Sequence, residues 1–217
     1  MIDLDSEGSV VVLRMRDGEN RFSLEWLDAM NAALDRIEAT PGPCALVTTG
    51  EGKFYSNGMD LDWLATAPER AGEYLRAIYR VLGRVLALPV MTVAAINGHA
   101  FGGGALLAMA HDYRVMRADR GYWCMPEADL GLPLTAEYLS VLTAKLPAGS
   151  VHEAVLTGRR YGGGDSVAAG VVHRAVAEDE VLAQAVELAA GLADKDRRTI
   201  GTHKKLLYGA AIEALLG

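Results

Sequence analysis

Three consecutive glycines, Gly102, Gly103 and Gly104, stand between an apolar run and a second apolar stretch in the segment GHAFGGGALLAMAHD, residues 98–112. A strand that enters a helix through such a turn leaves the first N–H groups of the helix unpaired. It also turns the positive end of the helix macrodipole outward, which suits developing negative charge. Close approach of helix to strand explains the same glycines equally well, and the spacing lacks the G-x-G-x-x-G pattern of a dinucleotide site. Glu127 follows Trp123, Cys124, Met125 and Pro126. A solvated loop is the commoner fate of a Pro-Glu pair, but a carboxylate placed just past an apolar group can be partly buried. Burial raises its pKa toward neutrality, as suits a group that must both accept and return a proton. His99 and His111, on either side of the turn, read as packing or capping residues, and Asp112 as an anchor for backbone at the end of the helix.

The remaining glycine clusters read as turns. In residues 50–53, Gly-Glu-Gly-Lys, Phe54 stands where a phosphate loop would carry Ser or Thr for magnesium, and the upstream glycine of that motif is missing. In residues 161–165, Asp165 reads as the cap of a short helix over 165–169. Cys44 and Cys124 show no metal-ligand spacing, so no metal site is expected. The opening MIDLDSEGS is acidic where a secretory signal would be basic and then apolar, which points to a reduced, cytoplasmic protein.

The elements that must position these residues alternate along the chain. Residues 10–13 read as a strand, and a helix follows Ser23 as cap, with Leu24, Leu27, Met30, Ala33, Leu34 and Ile37 at helical spacing. A strand over 44–48, a helix over 75–88, strands over 90–96 and 113–116, and a late strand over 171–176 continue the pattern. From Glu180 onward the pattern is helical. This order predicts an α/β domain with a helical tail, a core over 1–193 followed by a helical segment over 194–217. The chain has 217 residues, 51% of them hydrophobic and 23% charged, which is enough for one substantial core. Its formal net charge of −7 disfavours nucleic acid and anionic membrane as partners. The longest uncharged apolar stretch, residues 85–96, is broken by Pro89 and is too short to span a bilayer.

Three stretches taken together, GKFYSNGMDLDWL (52–64), NGHAFGGGAL (97–106) and CMPEADLGLP (124–133), resemble the crotonase, or enoyl-CoA hydratase/isomerase, superfamily. Residues 165–172 resemble that family's A-x-x-A-G-L-V segment, so the resemblance covers nearly the whole chain. It implies a spiral of ββα units, two packed sheets with flanking helices, and C-terminal helices that help form a homotrimer or a dimer of trimers. The tail is short by family standards. The family pattern puts the two oxyanion-hole N–H donors on Met59 and Gly103, with Ser56, Asn57, Gly58 and Gly102 around them. It implies an acyl-CoA thioester as substrate, with coenzyme A as part of that substrate and no separate cofactor. Two preorganised N–H groups in a dry site stabilise an enolate oxygen far better than water does.

The same resemblance selects among reactions. Hydratases of the family carry two glutamates, and here Glu127 matches the second while Leu106 falls on the first. A single carboxylate suits a 1,3-proton shift, and His111-Asp112-Tyr113 with residues 125–133 resembles the Δ3,Δ2-enoyl-CoA isomerases. Glu137 is the reserve base. Leu61, Trp63, Leu64, Leu132 and Pro133 are expected to line the acyl pocket, with Leu106 as an apolar wall beside Glu127. Arg21 and Lys53 are the candidates for the CoA phosphates, followed by Lys204 and Lys205. The rival readings are an enoyl-CoA hydratase and a non-catalytic acyl-CoA-binding protein.

Overall fold

The computed structural model describes residues 1–217. The chain opens with a hairpin, β1 (Ile2–Glu7) and β2 (Val10–Met15), which are antiparallel, and continues through β3 (Arg21–Phe22) into α1 (Leu24–Ala39). Ser23 caps α1 through its side chain, which accepts from the N–H of Trp26. Then β4 (Ala45–Thr49), β5 (Phe54–Ser56), β6 (Gly58–Met59), α2 (Leu61–Thr66) and α3 (Ala71–Ala87) lead to β7 (Met91–Ile96), β8 (His99–Phe101) and α4 (Gly103–Ala110). A further unit follows in β9 (Tyr113–Arg117), β10 (Trp123–Cys124) and α5 (Glu127–Leu130). The chain closes with α6 (Ala136–Lys145), α7 (Ala148–Thr157), α8 (Gly163–Ala168), β11 (Arg174–Val176), α9 (Val181–Ala190) and α10 (Arg197–Leu216).

Three times in succession the chain makes a strand of a large sheet, a short strand of a small sheet, and then a helix. The large sheet has the order β1-β2-β4-β7-β9-β11 and is parallel beyond its first hairpin; the small sheet has the order β10-β8-β5. This is the expected winding of ββα units. Strands β2, β4 and β7 are buried on both faces, so they read as continuous apolar runs rather than as alternation. Val10, Val12, Ala45, Val47, Val93, Ala95 and Val115 pack on one face against Val181, Ala185 and Ala189 of α9. Their sequence neighbours Leu13, Leu46, Ala94, Ile96 and Met116 join the main core on the other face. α10 packs on α3 and α6, and its Ala211 and Leu215 belong to that same core.

Two local expectations are corrected. The late strand covers only Arg174–Val176, because the N–H groups of Val171 and Val172 both bond to the carbonyl of Ser166 and close the end of α8 instead. α8 starts at Gly163 with Gly162 at its cap position. Asp165 lies inside the first turn and pairs with Arg159, so it does not cap the helix. No helix is long and apolar enough to cross a membrane.

Candidate active site

Parallel pairing in the small sheet brings the two motifs of the site together. β10 runs beside β8 with Trp123 opposite Ala100 and Cys124 opposite Phe101, and the N–H of Gly102 bonds to the carbonyl of Cys124 at 3.0 Å. The next residues of the two strands are therefore neighbours, and they are the glycine turn and Pro126-Glu127. Gly102 has φ +50° and ψ −117°, a conformation in which a side chain is strained. A Cβ added there would lie 3.4 Å from Oε1 of Glu127. The carboxyl thus sits against the turn that opens α4.

From the other side comes the segment around Met59. Gly58, with φ +77°, packs so closely on the start of α4 that an added Cβ would lie 2.7 Å from the nitrogen of Gly103 and 2.6 Å from the carbonyl oxygen of Phe101. Gly104 meets Ser56 in the same way, its would-be Cβ lying 2.2 Å from that carbonyl oxygen. Backbone packing therefore requires Gly58 and Gly104 whether or not a ligand is present. Ser56 is fully buried; its hydroxyl donates to the carbonyl of Asn20 at 2.7 Å and accepts from the N–H of Gly58 at 3.1 Å. It shapes the loop without reaching the cavity.

A cavity of about 500 Å³ opens at this junction. Its wall includes Met59, Gly102, Gly103 and Glu127, with Asn57, Leu61, Leu64, Leu132, Pro133 and Arg21 among the residues singled out from sequence. Others went unrecognised: Leu75 from α3, Phe101, Leu134, Thr135, Tyr138 and Arg160. Leu75 and Tyr138 carry the ordinary apolar pattern of their helices, and that pattern does not say which core residues face a cavity.

Several expected site residues lie elsewhere. Leu106 is fully buried in the main core and does not reach the cavity wall, which α4 meets only at its first residue, Gly103. Trp63 packs against Tyr74 with tilted rings whose centroids are 5.0 Å apart, and it is also off the wall. Lys53 is exposed over the ring of Phe54, at 5.2 Å, outside the cavity. Lys204 is buried, with its ammonium 2.7 Å from Asp112 and bonded to the carbonyl of Val90 at 2.8 Å, so it cannot meet a phosphate. Arg21 does line the cavity, but Glu19 at 2.8 Å and Asp62 at 2.5 Å already hold its guanidinium. Glu137 is off the wall; its own backbone N–H and the Thr135 hydroxyl hold its carboxyl below the usual range.

Burial pushes the Glu127 carboxyl above the ordinary carboxylate value, and no hydrogen bond from the protein reaches its Oε2. The wall has one other carboxylate, Asp62, which is solvent-exposed and paired to Arg21. His111 takes no part in the site. Burial lowers its pKa to about 3, and the neutral ring donates from Nδ1 to the carbonyl of Leu107 at 2.8 Å. Its Nε2 then accepts from the Thr48 hydroxyl at 2.9 Å. Asp112 accepts from both the N–H and the hydroxyl of Thr92, at 2.8 and 3.0 Å, and so anchors backbone at the end of α4. No group of three or more His, Cys, Asp or Glu side chains is arranged to hold a metal.

Residues 5–215 match the family model described as enoyl-CoA hydratase/isomerase. The chain belongs to this family. Among curated relatives of this crotonase-fold protein, enoyl-CoA delta isomerase 3 of Arabidopsis thaliana is 34% identical over 96% of this chain and 92% of its own length. A carnitinyl-CoA dehydratase of Salmonella typhimurium is also 34% identical, over 78% of this chain and 64% of its own length. Among solved structures, an apo enoyl-CoA isomerase of Mycobacterium tuberculosis superposes with a TM-score of 0.89 at 26% identity, covering 99% of this chain and 93% of that one. An enoyl-CoA hydratase/isomerase family protein of Pseudomonas syringae gives a TM-score of 0.93 at 23% identity, over 99% and 93%, a likeness of fold.

Proposed function

We propose that this family member is a Δ3,Δ2-enoyl-CoA isomerase that moves the double bond of a 3-enoyl-CoA to the trans-2 position. The observation that carries the reading is Glu127, the one carboxylate on a largely apolar wall that no cation neutralises, set against the glycine turn. Glu127 takes a proton from C2 of the substrate, and the electron pair moves toward the thioester oxygen. The N–H groups of Met59 and Gly103 hold that oxygen, and Glu127 returns the proton at C4. Each N–H donor of this kind is worth ~2.7–4 kcal/mol of barrier. A site with one working carboxylate and apolar walls has little to orient a water for addition to the double bond. The isomerase naming of relatives that match most of the chain supports the same choice.

The test is the product formed from trans-3-hexenoyl-CoA, followed by chromatography and mass spectrometry. The wild type is expected to give trans-2-hexenoyl-CoA without a mass increase. Glu127→Gln keeps the shape but cannot accept a proton, so turnover should fall by roughly 10²–10⁴ while acyl-CoA still binds. Efficient formation of 3-hydroxyhexanoyl-CoA, heavier by one water, would replace the isomerase with a hydratase.

A further inference from the structure

Among buried side chains of the whole molecule, only Trp26, His99, Glu127 and Tyr138 have a polar atom with no hydrogen-bond partner in the protein. Trp26 lies in the core away from the cavity, and His99 lies among Phe54, Phe101 and Tyr122 on the small sheet. The other two share the cavity wall: Oε2 of Glu127 on α5 and the phenol of Tyr138 on α6. Tyr138 is 4% exposed. A buried hydroxyl without a partner destabilises a fold, and phenylalanine would supply the same ring without that cost. The ring contact with Tyr79, edge-on at 5.2 Å, needs no hydroxyl either. Packing therefore accounts for the ring of Tyr138 and leaves its O–H unexplained.

Resting on the proton-shuttle reading of Glu127, we propose that Tyr138 is a positioning residue that donates its phenolic hydrogen to the Glu127 carboxylate whenever that group is charged. The bond forms directly or through one water on the cavity wall. Glu127 alternates between charged and neutral in each turnover, and its charged form is the one that burial penalises. A neutral donor that engages only the charged form steadies the carboxylate between C2 and C4 and lets it go once it carries the proton. Tyr138 stays a neutral donor throughout: burial, with Tyr79, Tyr74, Glu127 and Glu137 around it, holds its ionisation far above the working range.

The groups that face this pair are few. Asp129 shares α5 with Glu127, Tyr74 and Tyr79 come from α3, and Glu137 shares α6 with Tyr138. Cys124 on β10, Arg160 between α7 and α8, and the Arg21–Asp62 pair on the cavity wall complete the set; burial keeps the Cys124 thiol neutral, its pKa pushed up to about 11. None of them donates to Oε2 of Glu127.

The experiment follows the carboxyl of Glu127 by difference infrared titration, with Glu127→Gln identifying its band, alongside pH profiles of kcat and KM. In Tyr138→Phe the midpoint is expected to move up by about one pH unit, the worth of a hydrogen bond to a charged group. The acid limb of kcat should move with it, kcat should fall several-fold, and KM should change little. Tyr79→Phe serves as control: its hydroxyl bonds to Thr135 at 2.9 Å, and its loss should leave the Glu127 midpoint in place. An unshifted midpoint in Tyr138→Phe overturns the proposal, above all if the variant melts higher than wild type. The infrared midpoint needs no turnover, so a wild type that fails to isomerise sinks the functional reading separately.

Discussion

At the scale of single residues, the site is governed by how little room its backbone leaves. Gly102 takes φ +50° and ψ −117°, and a Cβ there would stand 3.4 Å from the Glu127 carboxyl. Gly102→Ala is therefore expected to lose about 1–3 kcal/mol of stability from backbone strain, read as the shift of a denaturation midpoint. It should also depress turnover more than substrate affinity, since the methyl crowds the base and not the acyl walls. An unchanged midpoint would mean that the turn can adopt another conformation. Gly103→Val is a poorer probe, because a Cβ at Gly103 already meets the ring of Phe22 at 2.8 Å. The glycine turn and Glu127 stood out in the sequence because three consecutive glycines before an apolar helix, and a Pro-Glu pair after an apolar group, are unusual residues in a fixed order. Leu106 was misplaced for the complementary reason: an apolar residue in an apolar helix gives no sign of whether it faces core or cavity. Tyr138 was missed on the same ground.

At the scale of elements, α10 is held to the sheet by one buried ion pair. Lys204 reaches Asp112, which also accepts from Thr92 at the start of β7. Removing one partner of such a pair strands the other charge in the interior. Lys204→Met is thus expected to cost about 3–5 kcal/mol in urea unfolding, whereas an exposed lysine such as Lys205 should cost less than about 0.5 kcal/mol. Equal effects at the two positions would show that the pair does not anchor the helix. Sequence gave Lys204 a different role, because its partner lies far along the chain and adjacency in space is invisible to local pattern. Long elements were the readable ones: α1 and α3 bury residues at helical spacing, and β4 and β7 are unbroken buried runs. β8 and β10 have three and two residues, too few to show a period, yet their pairing aligns the glycine turn with Glu127. The kink at Tyr208, where φ is −121° inside α10, left no mark in residue type.

At the scale of the whole molecule, buried titratable groups set how stability follows pH. Burial lowers His111 to about 3, and burial with the nearby Arg114 charge lowers His173 to about 4. Both side chains take up protons near 6.5 once unfolded. Between 6.5 and these lowered values the unfolded chain binds more protons than the native one, so stability falls as the solution is acidified. Glu127 acts with the opposite sign. Its carboxyl is raised in the fold, so the native state binds the extra proton and gains stability as pH falls through that raised value toward the ordinary one. His111 is the stronger term because it is enclosed completely and its Nε2 accepts from the Thr48 hydroxyl only when unprotonated, which together outweigh the donation to Leu107 that favours the charged ring. Its contribution alone is on the order of 3 kcal/mol by pH 4. Melting temperature measured from pH 7 to pH 4 is therefore expected to drop steeply in the wild type. In His111→Gln, which keeps a donor and an acceptor but does not titrate, the drop should be distinctly shallower even though the variant starts from lower stability at pH 7. If the two profiles run parallel, the burial of His111 is not what limits the protein in acid.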